Sequence, residues 1–236
     1  TWYPTDTSYN SLQIKVDRRF RGGWLVTNSY TRGRSITFSD DNGGVGTPAN
    51  PELSEGPAGF DRKHIYNATF VWDIPFANQS NGFIRAIFGG WQLSGIFTAQ
   101  SGTPIGFTAN AATLRAPGNT QRPNLNGEPK VFGDIGPGKL YFDTSVFSAP
   151  AANTFGNMRR NDSIRGPGYV NLDGTLIKRF RFTERIGGEV RADALNVTNS
   201  PNFNNPNGAF GNAAFGQVTG TVGGERLVRF GARVTF

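Results

Sequence analysis

The fold predicted by this sequence is all-β: an antiparallel transmembrane β-barrel, of which the chain forms a C-terminal portion of about seven strands. Three observations predict it. Short stretches alternate apolar and polar residues with a period of two, the strand signature. Connectors rich in Gly, Asn, Pro and Ser alternate between short and long. Apolar residues make up only 36% of the 236 residues, with Gly 32 and Pro 14. A barrel wall needs apolar residues on one face only, because its other face is polar. A loop-rich soluble protein shares the same deficit. No run approaches 18 consecutive apolar residues, which excludes a membrane helix.

Taken in order, the first strand runs Leu12 to Phe20, with Leu12, Ile14 and Val16 against Gln13, Lys15 and Asp17. Arg21-Gly22-Gly23 turns the chain into the second, Trp24 to about Phe38. The third, His64 to Ile74, sets Tyr66, Ala68, Phe70 and Trp72 against Asn67, Thr69, Val71 and Asp73. Pro75 ends it, since proline cannot donate to a ladder. The fourth runs Trp91 to about Ser101, the fifth Val170 to Phe182 and the sixth Arg185 to Val197. The last strand, Arg226 to Phe236, places Val228, Phe230, Ala232, Val234 and Phe236 on one side. Arg229, Gly231, Arg233 and Thr235 take the other. Capped stretches of 3.6-residue apolar period are missing, so no helix is expected.

Long loops at 39–63, 102–169 and 198–225 follow strands two, four and six, and shorter turns follow one, three and five. Bacterial barrels show this asymmetry, with long loops outside and short turns in the periplasm. The terminal strand then descends to the periplasm, and so does the first. Seven is odd, whereas single-chain bacterial barrels have an even count. An eighth strand near 103–109 would break the alternation, so missing upstream strands are the preferred explanation. The start, Thr-Trp-Tyr-Pro, has neither an initiator Met nor a signal peptide, and reads as the middle of a longer chain or a processed product.

Four stretches carry a family resemblance. Gly90-Trp-Gln-Leu-Ser-Gly-Ile to Ser101-Gly-Thr-Pro104 is similar to a "GGW-x-L-SGI … SGTP" strand and loop start. Phe60-Asp-Arg-Lys-His64 is similar to "FD-x-x-H". Glu189-Val-Arg-Ala-Asp-Ala-Leu-Asn-Val-Thr-Asn199 with Pro201-Asn-Phe203 is similar to "E-x-R-x-E-x-x-N-x-x-N … P-x-F", with Asp193 in place of Glu. The fourth is the ending, Arg226 to Phe236. Together they resemble the C-terminal part of a TonB-dependent outer-membrane receptor, of the Acidobacteria-type subgroup with an N-terminal carboxypeptidase-regulatory-like domain. The resemblance implies a 22-stranded barrel with residues 1–236 as about its last third. It further implies an upstream plug and TonB-contacting segment, and a barrel-assembly signal at Phe236.

Glu189, Arg191 and Asp193 project to one face and can line up with Arg229, Arg233, Arg179 and Arg181. A lumen-facing polar ladder is the first reading of this group, and plug docking the second. No activated nucleophile stands beside the carboxylates, so an enzyme is not expected. Trp72, Trp91, Val228, Phe230, Val234 and Phe236 are expected at the lipid face or in an aromatic girdle. An aromatic platform for sugars or single-stranded nucleic acid needs the same residue types. With one histidine, His64, and no cysteine, neither a zinc site nor a cofactor is expected. Asp40-Asp41-Asn42-Gly43-Gly44 only faintly resembles a calcium loop. The net charge of +7 is scattered along the chain, against a nucleic-acid partner.

The location implied is the outer membrane of a Gram-negative bacterium. The expected partners are its lipid and lipopolysaccharide (Arg159-Arg160 being one candidate contact), the barrel-assembly machinery, and TonB acting through missing upstream regions. The expected function is TonB-driven uptake of an unidentified solute. The alternatives are a structural or binding subunit at the outer membrane without transport, and a soluble all-β domain with its terminal strand buried.

Overall fold

The computed structural model describes residues 6–39, 46–76, 82–183 and 185–236. Seven long strands form one antiparallel sheet: β1 (Ser8–Arg21), β2 (Trp24–Thr37), β3 (His64–Ile74), β4 (Trp91–Gln100), β5 (Tyr169–Arg181), β6 (Gly187–Leu195) and β7 (Leu227–Thr235). Each pairs with its neighbour in the chain, giving an order of β1 to β7 without crossover. A two-residue strand, Gly56–Pro57, adds to the end of β2. The sheet is open: among the described residues, β1 and β7 have no partner along their outer sides. No long strand arises within 102–169, where Pro104 and Thr108 make only isolated bridges.

The β1–β2 hairpin closes on Gly22 and Gly23, with φ of 66° and 83°. A two-residue turn with both φ positive matches the twist of the flanking strands, and side chains other than glycine rarely adopt it. The β3–β4 connector holds a helix, α1 (Gly82–Phe88), which corrects the expectation of no helix. Its apolar residues Phe83, Ile84, Ile87 and Phe88 sit at i, i+1, i+4 and i+5, one helical face.

The hydrophobic core is not on the sheet. Ile105, Phe107, Tyr141, Phe142, Phe147, Met158, Ile164 and Val218 bury one another within the long loops. Phe203, Phe210 and Phe215, the repeated phenylalanines of the last loop, pack against this cluster. Phe142 and Phe215 meet edge-on at 5.5 Å, and Phe147 and Phe215 at 5.3 Å, arrangements favoured by ring quadrupoles. The loops also bond to one another: Thr120 N–H donates to Gly46 C=O at 2.6 Å, and Tyr141 N–H to Gly216 C=O at 2.8 Å. The three loops therefore fold as one cap at one end of the sheet.

Candidate functional site

Register fixes what each face of the sheet presents. Across β6 and β7, Asp193 lies opposite Arg229 and Glu189 opposite Arg233, with Arg191 opposite Gly231. Across β5 and β6, Thr175 lies opposite Asp193 and Arg179 opposite Glu189. Because side chains alternate between faces, all these groups share one side. The carboxylates take their closest cations from β5 and β6. Arg191 donates from Nε and Nη2 to Asp193 Oδ2 at 2.9 and 2.6 Å, and Thr175 Oγ1 to Asp193 Oδ1 at 2.8 Å. Arg179 donates to Glu189 at 3.2 Å and to Gln92 at 3.1 Å, and Gln92 to Asp73 at 2.5 Å. The chain from Glu189 through Arg179 and Gln92 to Asp73 crosses four strands; alternation already places Asp73 on the polar side, whereas the part played by Gln92 emerges only from the register. Ser94, Asp173, Thr175, Arg191, Asp193 and Arg229 line a shallow hollow of about 480 Å³ on this face.

The opposite face is mostly apolar from β1 to β7, with Asn28 and Arg32 of β2 among its polar members. Leu12, Ile14 and Val16 lead to Val26 and Phe70, then to Leu93 and Phe97, Leu172 and Leu176, and Val190. Val228, Phe230 and Val234 continue it, with Phe236 just beyond β7. Along β7 nothing among the described residues covers this surface: Phe230 is 81% exposed and Phe236 98%. A soluble sandwich would bury that strand under a second sheet, whereas here Phe230 and Phe236 stand open. Trp72 lies opposite Trp24, stacked at 4.5 Å, and Trp91 lies opposite Ile74 and Lys178. These tryptophans cluster at the sheet end away from the cap.

The cap is fastened to the sheet by Asp61, 3% exposed. Its carboxylate pairs with Arg165 and accepts from Ser35 N–H at 2.7 Å, while Arg165 also donates to Asp61 C=O at 2.8 Å. Gly102 runs so close to Gly166 that an added Cβ would lie 1.8 Å from its carbonyl oxygen. Asparagine amides replace missing backbone pairing, as loop backbone requires. Asn202 both accepts from Val170 N–H and donates to Val170 C=O, at 2.8 and 3.0 Å. Asn196 donates to the Ser200 and Gly224 carbonyls, tying the turn after β6 to the return toward β7. The Asn-rich stretch 199–217 is legible in the sequence as a loop ordered by side-chain-to-backbone bonds, as Asn202 shows, whereas the role of Arg165 is not, because it depends on loops that meet only in the fold.

The remaining candidates have structural partners. His64 Nδ1 bonds the Tyr30 hydroxyl at 2.8 Å. Arg159 pairs with Glu55 at 3.8 Å on the cap surface. Burial, and then the charge of Arg160, lower the Arg122 guanidinium to about 10, which leaves it protonated at neutral pH. Asp40 to Gly44 lie outside the described residues, and among those described no three acidic, His or Cys side chains gather as a metal site.

A sheet with one bare apolar face, one charged face and a loop cap at one end defines a membrane-wall protein. Residues 1–229 match the family described as outer membrane beta barrel domain, and the chain belongs to that family. Its location is accordingly the bacterial outer membrane, in contact with that membrane's lipid. Searches of curated proteins and of solved structures found no match to the chain.

Proposed function

We propose that this chain is the closing part of the wall of a TonB-dependent outer-membrane transporter, which takes up a solute under force from TonB. The observation that supports it is the segregation of faces across the seven strands, mostly apolar on one side, charged and hydrogen-bonded on the other. In this reading the apolar face meets lipid, and Trp24, Trp72 and Trp91 form its periplasmic girdle. Glu189, Arg191, Asp193, Arg229 and Arg233 line the lumen, where paired charges are tolerated. The cap lies outside the cell, and Phe236 carries the signal for the barrel-assembly machinery.

Unpaired strand edges are not viable in hydrocarbon, so β1 and β7 must each find a partner strand. On this reading the complete barrel has the 22 strands that the resemblance to TonB-dependent receptors implies. The packed cap favours a second reading, a surface-binding subunit without transport, since rigidly held loops carry recognition. One experiment separates the two. The complete gene product is tested for binding to the purified periplasmic domain of TonB, alongside inspection of its sequence for a plug and TonB box. Binding supports uptake; its absence, together with the absence of a plug, leaves the wall as a scaffold.

A further inference from the structure

Lys178 breaks the pattern of the apolar face. It lies on that side of β5, opposite Trp91 and Val190, yet it is only 4% exposed. What shields it is α1. The Lys178 ammonium donates to Ile87 C=O at 3.1 Å and to Gly89 C=O, the carbonyls at the helix C-terminus. Those groups have no partner within the helix and carry the negative end of its dipole. The ammonium also lies 5.4 Å from the Trp91 ring and 5.2 Å from that of Phe180, favourable cation–π positions. Trp91 Nε1–H adds a bond to Ile87 C=O at 3.0 Å. Two side chains of the apolar face thus hold α1 against that face, at its girdle end.

Held this way, α1 turns its own apolar residues outward. Phe83 is 78% exposed, and Ile84, Ile87 and Phe88 are exposed beside it. These side chains belong to a helix whose end rests on Trp91 and Lys178 of the apolar face, and the sole charged residue of the helix is the cation Arg85. Exposed apolar residues docked at the edge of a membrane wall, accompanied by a cation and no acid, match the boundary between acyl chains and phospholipid headgroups.

We infer that α1 is an interfacial foot, docked by Lys178 to the outside of the wall and seated in the phospholipids of the periplasmic leaflet. Lys178 is a positioning residue: it neutralises the helix C-terminus and lets that backbone approach the membrane. The inference rests on the proposal that the apolar face meets lipid, and its test keeps the two apart.

Residues 1–236 contain no cysteine, so with any cysteine elsewhere in the complete protein replaced by serine, single nitroxide labels can be placed by Phe83→Cys, Ile87→Cys, Arg85→Cys and Phe230→Cys. They are read in the complete barrel, in liposomes of phosphatidylethanolamine and phosphatidylglycerol, by collision with oxygen and with a water-soluble nickel chelate. The oxygen-to-nickel ratio is expected to be several-fold higher at 83, 87 and 230 than at 85. A lipid-like value at 230 with water-like values at 83 and 87 overturns the foot alone; a water-like value at 230 overturns both readings. Lys178→Met suits the apolar wall and should leave the barrel folded, scored by its heat-modifiable gel mobility. It is expected to erase the contrast between 87 and 85, and Lys178→Arg to restore it. A contrast unchanged in Lys178→Met overturns the docking role of Lys178.

Discussion

Replacing Asp61 by Ala leaves Arg165 beside a buried polar socket with no counter-charge. Removing one partner of a buried pair costs about 3–5 kcal/mol, and here the cost falls on the join between cap and sheet. Cells displaying Asp61→Ala should therefore lose residues 102–169 to external protease faster than wild type, with the strands still membrane-embedded. Unchanged cleavage would show that the cap is held by other contacts. On the wall the contrast lies between adjacent residues. Phe230→Arg should cost about 2–4 kcal/mol if its side meets hydrocarbon, whereas Arg229→Gln should stay within about 0.5 kcal/mol, as polar surface changes do. Urea titration of folding into liposomes measures both, and equal costs would contradict the assignment of faces. The alternation that predicts this contrast is legible in the terminal residues themselves. The Asp61–Arg165 pair is not, since its members stand 104 residues apart.

Among the elements, the cap should behave as a unit with its own stability. Phe142 is fully buried among Phe107, Phe147 and Phe215. Phe142→Ala should cost about 3–5 kcal/mol, seen as loss of cap protection without loss of strand circular dichroism. Two titrating groups bound the pH range of the cap. Donation from the Ser145 hydroxyl and N–H holds the Asp143 carboxyl below the ordinary carboxylate range. Its contribution is present at neutral pH and is lost as pH falls below the unfolded value through the lowered one. Burial raises the Tyr141 hydroxyl, so its contribution is present below the usual phenol value and is lost as pH rises through the raised one. Cap protection should thus be flat near neutrality and fall at both extremes, with Asp143→Asn flattening the acid side. Helix α1 lay beyond sequence reading for a physical reason. Seven residues are too few to stand as an isolated helix, and what holds α1 is a lysine about 90 residues downstream.

At the scale of the whole molecule, the two open edges set the strongest expectation. If β1 and β7 are completed by further strands in the membrane, their amides should exchange with deuterium as slowly as those of β3 and β4. Fast exchange along either edge would mean that the wall ends there. The sequence by itself determined the seven strands and which residues share each face, because period-two alternation is a local property of the chain. Strand boundaries differ from those expected by a few residues at most, as at Ser8 and Leu195. Only the tertiary structure decided that the core lies in the loops, that Asp61 and Arg165 join cap to sheet, and that Lys178 faces the apolar side under a helix. Each of these depends on groups far apart in the chain, and residue spacing carries no record of which distant partners will meet.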